Sequence, residues 1–336
     1  MERKTSKRIS LSGDTISIIV FFLILAMVML VFTLLTDKFL TLENFSKLFK
    51  YLSNTALVAL GLTFVVVVGH SDMSFHFVSC FAAMTMSFFI GKGLPPIPSI
   101  LIGLLGGVMY GVLNGIAVGK YKLPDMIATI AIGSVAWGTA YLYSRGNYIY
   151  KNFLTSGIIN LADGKLYGIP YPVIYLFVFY ILAFIVLHRS KYGRRFYATG
   201  SNKIAATFSG INIQRYIIVA FALCTFFASF ANMLMTAAQG NGNVKGGLVL
   251  LMPAYASIFV GISVFKKATV IGTFFGAFLI VMMQNGFTLL NAPFYIMDLI
   301  VGATLILAII LSRIEIKRKV KQPSPASGVP GLETGD

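Results

Sequence analysis

Charge is scarce in this chain, and acidic charge scarcer still: only 11% of its 336 residues are Asp, Glu, Lys or Arg, and Asp and Glu together number 11. With 57% hydrophobic residues and a mean hydropathy of +0.84, there is too little polar surface to coat a water-soluble globule of this length. Cysteine is nearly absent. Cys80 and Cys224 fall inside apolar runs with no CxxC spacing and no His/Cys cluster, which excludes a disulfide framework and a zinc site and leaves two small core residues. Also lacking are the phosphate loop G-x-x-x-x-G-K-[ST], the zinc-protease pattern H-E-x-x-H and the nucleophile elbow G-x-S-x-G. A non-catalytic chain with no cofactor and no metal of its own is therefore expected, and any ATP that energises it must be bound by another protein.

What the chain has in quantity is long apolar runs. Ten of them, near residues 15–35, 50–69, 73–91, 97–119, 125–143, 171–188, 216–238, 248–264, 268–290 and 294–312, approach the roughly 20 residues that cross a hydrocarbon core. The expected fold class is an all-α polytopic membrane protein with about ten transmembrane helices. The first run follows a basic start, but it is too long for a signal-peptide core and no small-residue cleavage pattern follows Leu35, so it reads as a retained span. The organisation expected is a basic amino-terminal segment, residues 1–14, a transmembrane domain, residues 15–312, and a tail, residues 313–336, whose Pro, Gly and Ser content reads as largely disordered.

The net charge of +16 would suit nucleic acid, yet the basic residues sit in short segments between apolar runs and build no aromatic-interleaved surface. They read instead as topology-setting charge facing the cytoplasm, with the lipid bilayer as partner. Counting from a basic start on the inside, ten spans return the carboxyl terminus to the inside. That arrangement places both termini, Lys120 and Lys122, the segment 188–215, and Lys266 with Lys267 in the cytoplasm, and this captures most of the Lys and Arg.

The segment 188–215 is the polar connection richest in positive charge, with Arg189, Lys191, Arg194, Arg195, Lys203 and Arg215 and no acid. Within it Ser201 or Asn202 can cap a short helix, residues 203–209, which Gly210 would stop in the left-handed conformation. So short a helix is marginal alone in water, so it is expected to rest on another protein.

Two features mark the spans as more than lipid-facing cylinders. Gly103, Gly107, Gly111, Gly115 and Gly119 recur every fourth residue and form a slowly drifting groove for a second backbone. Gly272, Gly276 and the matched pairs Asn114-Gly115 and Asn285-Gly286 fit either an inverted repeat of spans 2–5 and 7–10 or helix packing alone. The second feature is the polar break Gly69-His70-Ser71-Asp72-Met73-Ser74-Phe75-His76. Irregular backbone at that depth needs protein or water around it. Asp72 reads either as the cap of span 3 at the cytoplasmic interface or as a pathway or gating charge. Asp72, Ser74, Asn114 and Asn285 are the candidate pathway or gating residues, while a metal held by His70, Asp72 and His76 is a weaker reading. Asp125 reads as the acidic first turn of span 5 behind Pro124, and Asp298 as lying near the outer end of span 10.

From Phe39 to Leu311 the residues resemble the ribose-type permeases of bacterial ABC importers, a family that includes sugar, autoinducer and nucleoside permeases. The most specific stretch is Gly193-Arg194-Arg195-Phe196-Tyr197-Ala198-Thr199-Gly200-Ser201-Asn202, followed by Ala205-Ala206 and Ser209-Gly210-Ile211-Asn212-Ile213. Further matches are Phe39-Leu40-Thr41-Leu42-Glu43-Asn44, Asn114-Gly115, Gly272-Thr273, Gly276 and Asn285-Gly286. The resemblance implies an ATPase-coupling loop carried by Gly193, Arg194, Arg195, Tyr197, Gly200, Asn202, Ala205, Ala206, Ser209 and Gly210. It also implies a second permease, identical or not, cytoplasmic ABC ATPase subunits holding ATP and magnesium, and a periplasmic solute-binding protein. The place implied is the bacterial inner membrane, and the cargo a small sugar or sugar-like solute. The chain departs from the family in its break, where His76 replaces a usual glycine, at Asp125-Met126, and at Ser257-Ile258 and Phe265-Lys266-Lys267-Ala268, which stand in place of glycine-rich stretches. A permease of the same plan for a nucleoside, an autoinducer or a branched-chain amino acid, or an ATP-independent secondary transporter, remains the alternative.

Overall fold

The computed structural model describes residues 13–321. The basic start up to residue 12 and the tail from residue 322 therefore lie outside the described residues. Helix α1, Gly13–Leu35, is followed by α2, Leu42–Val67, which begins well before the apolar run because Thr41 caps it, its side chain accepting from the Asn44 amide. Helix α2 closes on Gly69, held at a φ of 79° with its amide donating to the Val66 carbonyl, a conformation that glycine adopts without strain. Helix α3, Phe75–Gly91, starts only after the polar break. Helix α4, Pro96–Gly119, opens with a proline where the missing amide costs no helical bond, and α5, Asp125–Ser144, opens behind Pro124 with Asp125 as its first residue.

A folded connection follows, made of the single turns α6, Phe153–Ser156, and α7, Asn160–Asp163, and a two-stranded hairpin of β1, Lys165–Leu166, and β2, Ile169–Pro170. Helix α8, Tyr171–Phe184, runs through a π turn at Ile185–Arg189 into the polar segment. That segment is more ordered than expected, with two helices, α9, Lys191–Ser201, and α10, Lys203–Phe208. Then come α11, Ile213–Gln239, α12, Leu251–Phe265, α13, Val270–Leu289, and α14, Phe294–Lys321. Helix α14 runs on past residue 312, where the tail was expected to begin.

Among the described residues eight helices are long and apolar enough to cross a bilayer, and Phe75–Gly91 and Tyr295–Ile310, at two more of the expected spans, are apolar but shorter. Helix α3 is shorter because the irregular backbone of residues 68–74 precedes it and the helix begins only at Phe75. The α2 span is 78% buried and the α11 span 67%, against 11% for α1, so the first two form the centre and α1 is an outer helix. Leu23, Met27, Leu30 and Leu34 on α1, with Leu105 on α4 and Ile127 on α5, leave apolar side chains outside the fold, as suits a surface solvated by lipid.

The helix neighbours follow a repeating pattern. Helix α4 packs on α3 and α11, while α13 packs on α12 and α2; α5 lies on α3 and α14 on α12; α2 and α11 pack on each other. Exchanging α2, α3, α4 and α5 for α11, α12, α13 and α14 reproduces this set of neighbours. Five spans separate the equivalents, so in an alternating topology they run in opposite directions, which is the arrangement of an inverted repeat.

Candidate functional site

The polar segment folds into a helical hairpin seated on the end of α2. Ser190 caps α9, its side chain accepting from the Tyr192 and Gly193 amides, and Asn202 caps α10 through the Ala205 amide. Gly193 lies against the Leu187 carbonyl and Gly200 against the Val67 carbonyl, and neither site has room for a Cβ. The Tyr197 hydroxyl donates to the Ala268 carbonyl at 2.8 Å, and Phe196 is buried between Phe64 and Tyr216. These residues anchor the hairpin to its own transmembrane body.

Six of the ten residues expected to carry the coupling loop are left outside. Arg194, Arg195, Asn202, Ala205, Ser209 and Gly210 are exposed, but Ala206 is buried beneath α10 and turned towards the protein itself. In its place Ile204 and Phe208, four residues apart on the opposite face, are 71% and 90% exposed. Sequence reasoning passed over both. The apolar pair spaced i, i+4 in a polar connection was the signal that would have found them. Beside α10 opens a cleft of about 760 Å³, lined among others by His70, Lys122, Lys203, Thr207 and Asn212.

The polar break lies directly under this hairpin. Asp72 is fully buried, and its Oδ1 accepts from the Ser74 amide at 2.7 Å and from the Ser74 hydroxyl at 2.6 Å. The Ser74 oxygen accepts in turn from Asn114 Nδ2 at 2.7 Å, so Asp72, Ser74 and Asn114 form one hydrogen-bonded chain from the start of α3 to α4. Of the two readings of Asp72, the cap of span 3 is modified in its detail. The N-cap residue is Ser74, its hydroxyl makes no capping bond, and Asp72 ties the loop ahead of the helix while its own carbonyl accepts from the Tyr255 hydroxyl at 2.8 Å. The Thr129 hydroxyl accepts from the Met73 amide and so pins the same loop to α5.

Asn285 does not join this group. It exchanges two hydrogen bonds of 3.0 Å with Asn44, near the start of α2. That start and the break lie at opposite ends of α2, whose 26 residues rise about 1.5 Å each, roughly 39 Å in all. The two Asn-Gly pairs, alike in sequence, therefore serve opposite ends of the bundle.

Between them runs the glycine face of α4. A Cβ on Gly111 would stand 2.7 Å from the Phe221 carbonyl, and one on Gly115 2.5 Å from Ile218 Cα, so α11 approaches backbone to backbone. Gly103 faces Met233 and Ala82, and Gly107 faces Ser229 and Ala82. Along the seam of α3, α4 and α11 several buried polar atoms, Asn114 Oδ1, His76 Nδ1, Ser229 Oγ and Asn232 Oδ1, have no hydrogen-bond partner among the described residues. Among those residues no group of three His, Cys, Asp or Glu is placed to hold a metal ion. His70 turns to Lys203 and Asp125, while the His76 ring packs on Phe77 with centroids 4.0 Å apart.

Helices in this number and arrangement define a polytopic all-α membrane protein. A family model described as the permease component of branched-chain amino acid transport systems matches residues 44–309, and the chain belongs to this family. It is similar to the ribose import permease protein of Bacillus subtilis, 27% identical over 294 residues that cover 87% of this chain and 91% of the relative. The D-allose transport system permease protein of Escherichia coli is 28% identical over 298 residues, 87% of this chain and 90% of its own. The L-arabinose ABC transporter permease protein of Azospirillum brasilense is 26% identical over 283 residues, 84% and 83% of the two chains. No solved structure matches the chain.

Proposed function

We propose that the chain is the transmembrane permease subunit of a binding-protein-dependent ABC importer, moving a small sugar or sugar-like solute into the cytoplasm. It catalyses no covalent step. ATP and magnesium are held by separate cytoplasmic ABC ATPase subunits, a second permease of the same or a related sequence completes the pathway, and a periplasmic solute-binding protein delivers the cargo. The protein lies in the bacterial inner membrane with both termini in the cytoplasm. Its work is to make the outward- and inward-facing states respond differently to these partners.

The observation that carries the reading is α10. It is a capped helix anchored from below by the break and by α9, and it leaves Ile204 and Phe208 uncovered by any of the described residues. Similarity along nearly the whole membrane part to permeases named for ribose, allose and arabinose favours a sugar. The unpartnered polar atoms along the seam of α3, α4 and α11 suit a hydroxyl-rich solute or water, because a buried polar group left unpaired costs about 1–3 kcal/mol. A second reading, a branched-chain amino acid as cargo, has the description of the family model in its favour. The test of the docking reading is to replace Phe208 and Ile204 with Asp and measure how much ATPase co-purifies from membranes. A charge buried in an apolar contact should cost about 2–4 kcal/mol of binding and remove most of the ATPase. Full retention in the doubly substituted chain would overturn it.

A further inference from the structure

Three elements, α10, α5 and the polar break, meet at one imidazole. His70 sits just past the left-handed Gly69 that ends α2, in the irregular backbone that leads to Asp72. Its Nε2 is 3.1 Å from the Lys203 ammonium, in the first turn of α10, and its Nδ1 is 3.4 Å from Asp125 Oδ2, at the first residue of α5. An ammonium can only donate, so Nε2 accepts, and the neutral ring then carries its proton on Nδ1 and gives it to Asp125. The same carboxylate holds the break directly, since Asp125 Oδ2 also accepts from the Ser71 amide at 2.9 Å. The hairpin touches the break a second time where Gly200 packs against Gly69. Lys203, His70, Asp125 and the Ser71 amide thus form a chain of contacts from α10 to the Asp72 loop and to α5.

We propose that His70 is a positioning residue of the transport cycle, joining the coupling helix α10 to the broken start of α3 and to α5. This rests on the reading of α10 as the element that meets the ATPase. The ring can bridge a cation and an anion only while it is neutral. Once protonated it has two donors and no acceptor, faces the Lys203 ammonium as a like charge, and releases α10 while holding Asp125 more tightly. The charged groups around it are Lys203 from α10, Asp125 from α5 and Lys122 from the turn after α4, in the same cleft. Among the described residues, helix α11 turns the Phe221 ring to it and lines the same cleft with the uncharged Gln214 and Ile217, and on its own segment Asp72 is turned to Ser74. Burial lowers the His70 pKa and Lys203 lowers it further, against an opposing pull from Asp125. The link is therefore complete at neutral pH and is lost as pH falls through that lowered value.

The experiment is the ratio of solute taken up to ATP hydrolysed, measured on the reconstituted complex across acidic to neutral cytoplasmic-side pH. His70→Ala and Lys203→Met should each keep the ATPase bound yet lower the ratio roughly fivefold to tenfold, the span of an ordinary coupling free energy. His70→Gln, whose amide both donates and accepts but does not titrate, should keep a near-normal ratio at neutral pH and lack the acid-side fall of the unsubstituted complex. An unchanged ratio in His70→Ala, or the same acid profile in the unsubstituted and His70→Gln complexes, would overturn the proposal. Failure of the docking reading shows separately, as retention of the ATPase after the Ile204 and Phe208 substitutions, and the role assigned to His70 would fall with it.

Discussion

Asp72 uses one carboxylate oxygen for two bonds, both to Ser74, and that choice decides which substitutions the break tolerates. An amide oxygen can accept the same two bonds. Asp72→Asn should therefore retain transport and near-native thermal stability. Asp72→Leu leaves the Ser74 amide and hydroxyl unpaired in a fully buried site and should cost about 2–4 kcal/mol, read as a lower unfolding temperature of the purified chain. Loss of transport in the Asn variant with the fold intact would instead assign the function to the charge. At this scale the sequence was partly legible. An acid in an apolar run announces its own importance through the cost of burying it, whereas the partnership of Asp72 with Asn114 depends on how α4 lies across the start of α3, which no local pattern encodes. That Ala206 faces inward was hidden for a simpler reason. In a helix of six residues one turn decides which side faces solvent, and the resemblance marks positions without giving their direction.

At the scale of elements, the glycine face of α4 allows a graded test. A Cβ at Gly111 meets the Phe221 carbonyl and the Ala222 Cα, backbone that cannot step aside, whereas at Gly107 it meets the Ser229 side chain, which can change rotamer. Gly111→Ala should therefore cost about 1–3 kcal/mol, visible as a reduced yield of monodisperse protein, and Gly107→Ala distinctly less. Equal yields would mean that α4 and α11 do not approach as closely as described. Helix α9 shows the limit of reading elements from apolar runs. It is short, polar on its outer face and holds Gly193 and Gly200 inside it, so its signal was the Ser190 cap and the inward Phe196 rather than any hydrophobic stretch. The boundaries of α2 and α14 moved outward from the apolar runs, because a cap or continued helical bonding, not hydropathy, sets where a helix ends.

For the whole molecule, the composition alone required a polytopic membrane protein, since the bilayer admits few other solutions for so apolar a chain. The exchange of helix neighbours between the two halves was only hinted at by matched Asn-Gly pairs, because a repeat of packing survives when the side chains that carry it have diverged. Orientation has a direct check. Cys80 and Cys224 are buried, so cysteines introduced at exposed sites report alone. Phe208→Cys should react with an impermeant thiol reagent only after permeabilisation, and Leu154→Cys, on α6, in intact cells. The reverse pattern would invert the topology.

The central claim, an ATP-driven permease for a sugar-like solute, is tested most directly by uptake into proteoliposomes holding the chain with its ATPase and binding protein. Pentoses, hexoses and branched-chain amino acids should be offered in turn, with and without internal ATP. The expected result is accumulation of a pentose or hexose that requires ATP and the binding protein and is lost in the Phe208→Asp complex. Accumulation of an amino acid in place of a sugar, or uptake by the chain alone without ATP, would contradict it.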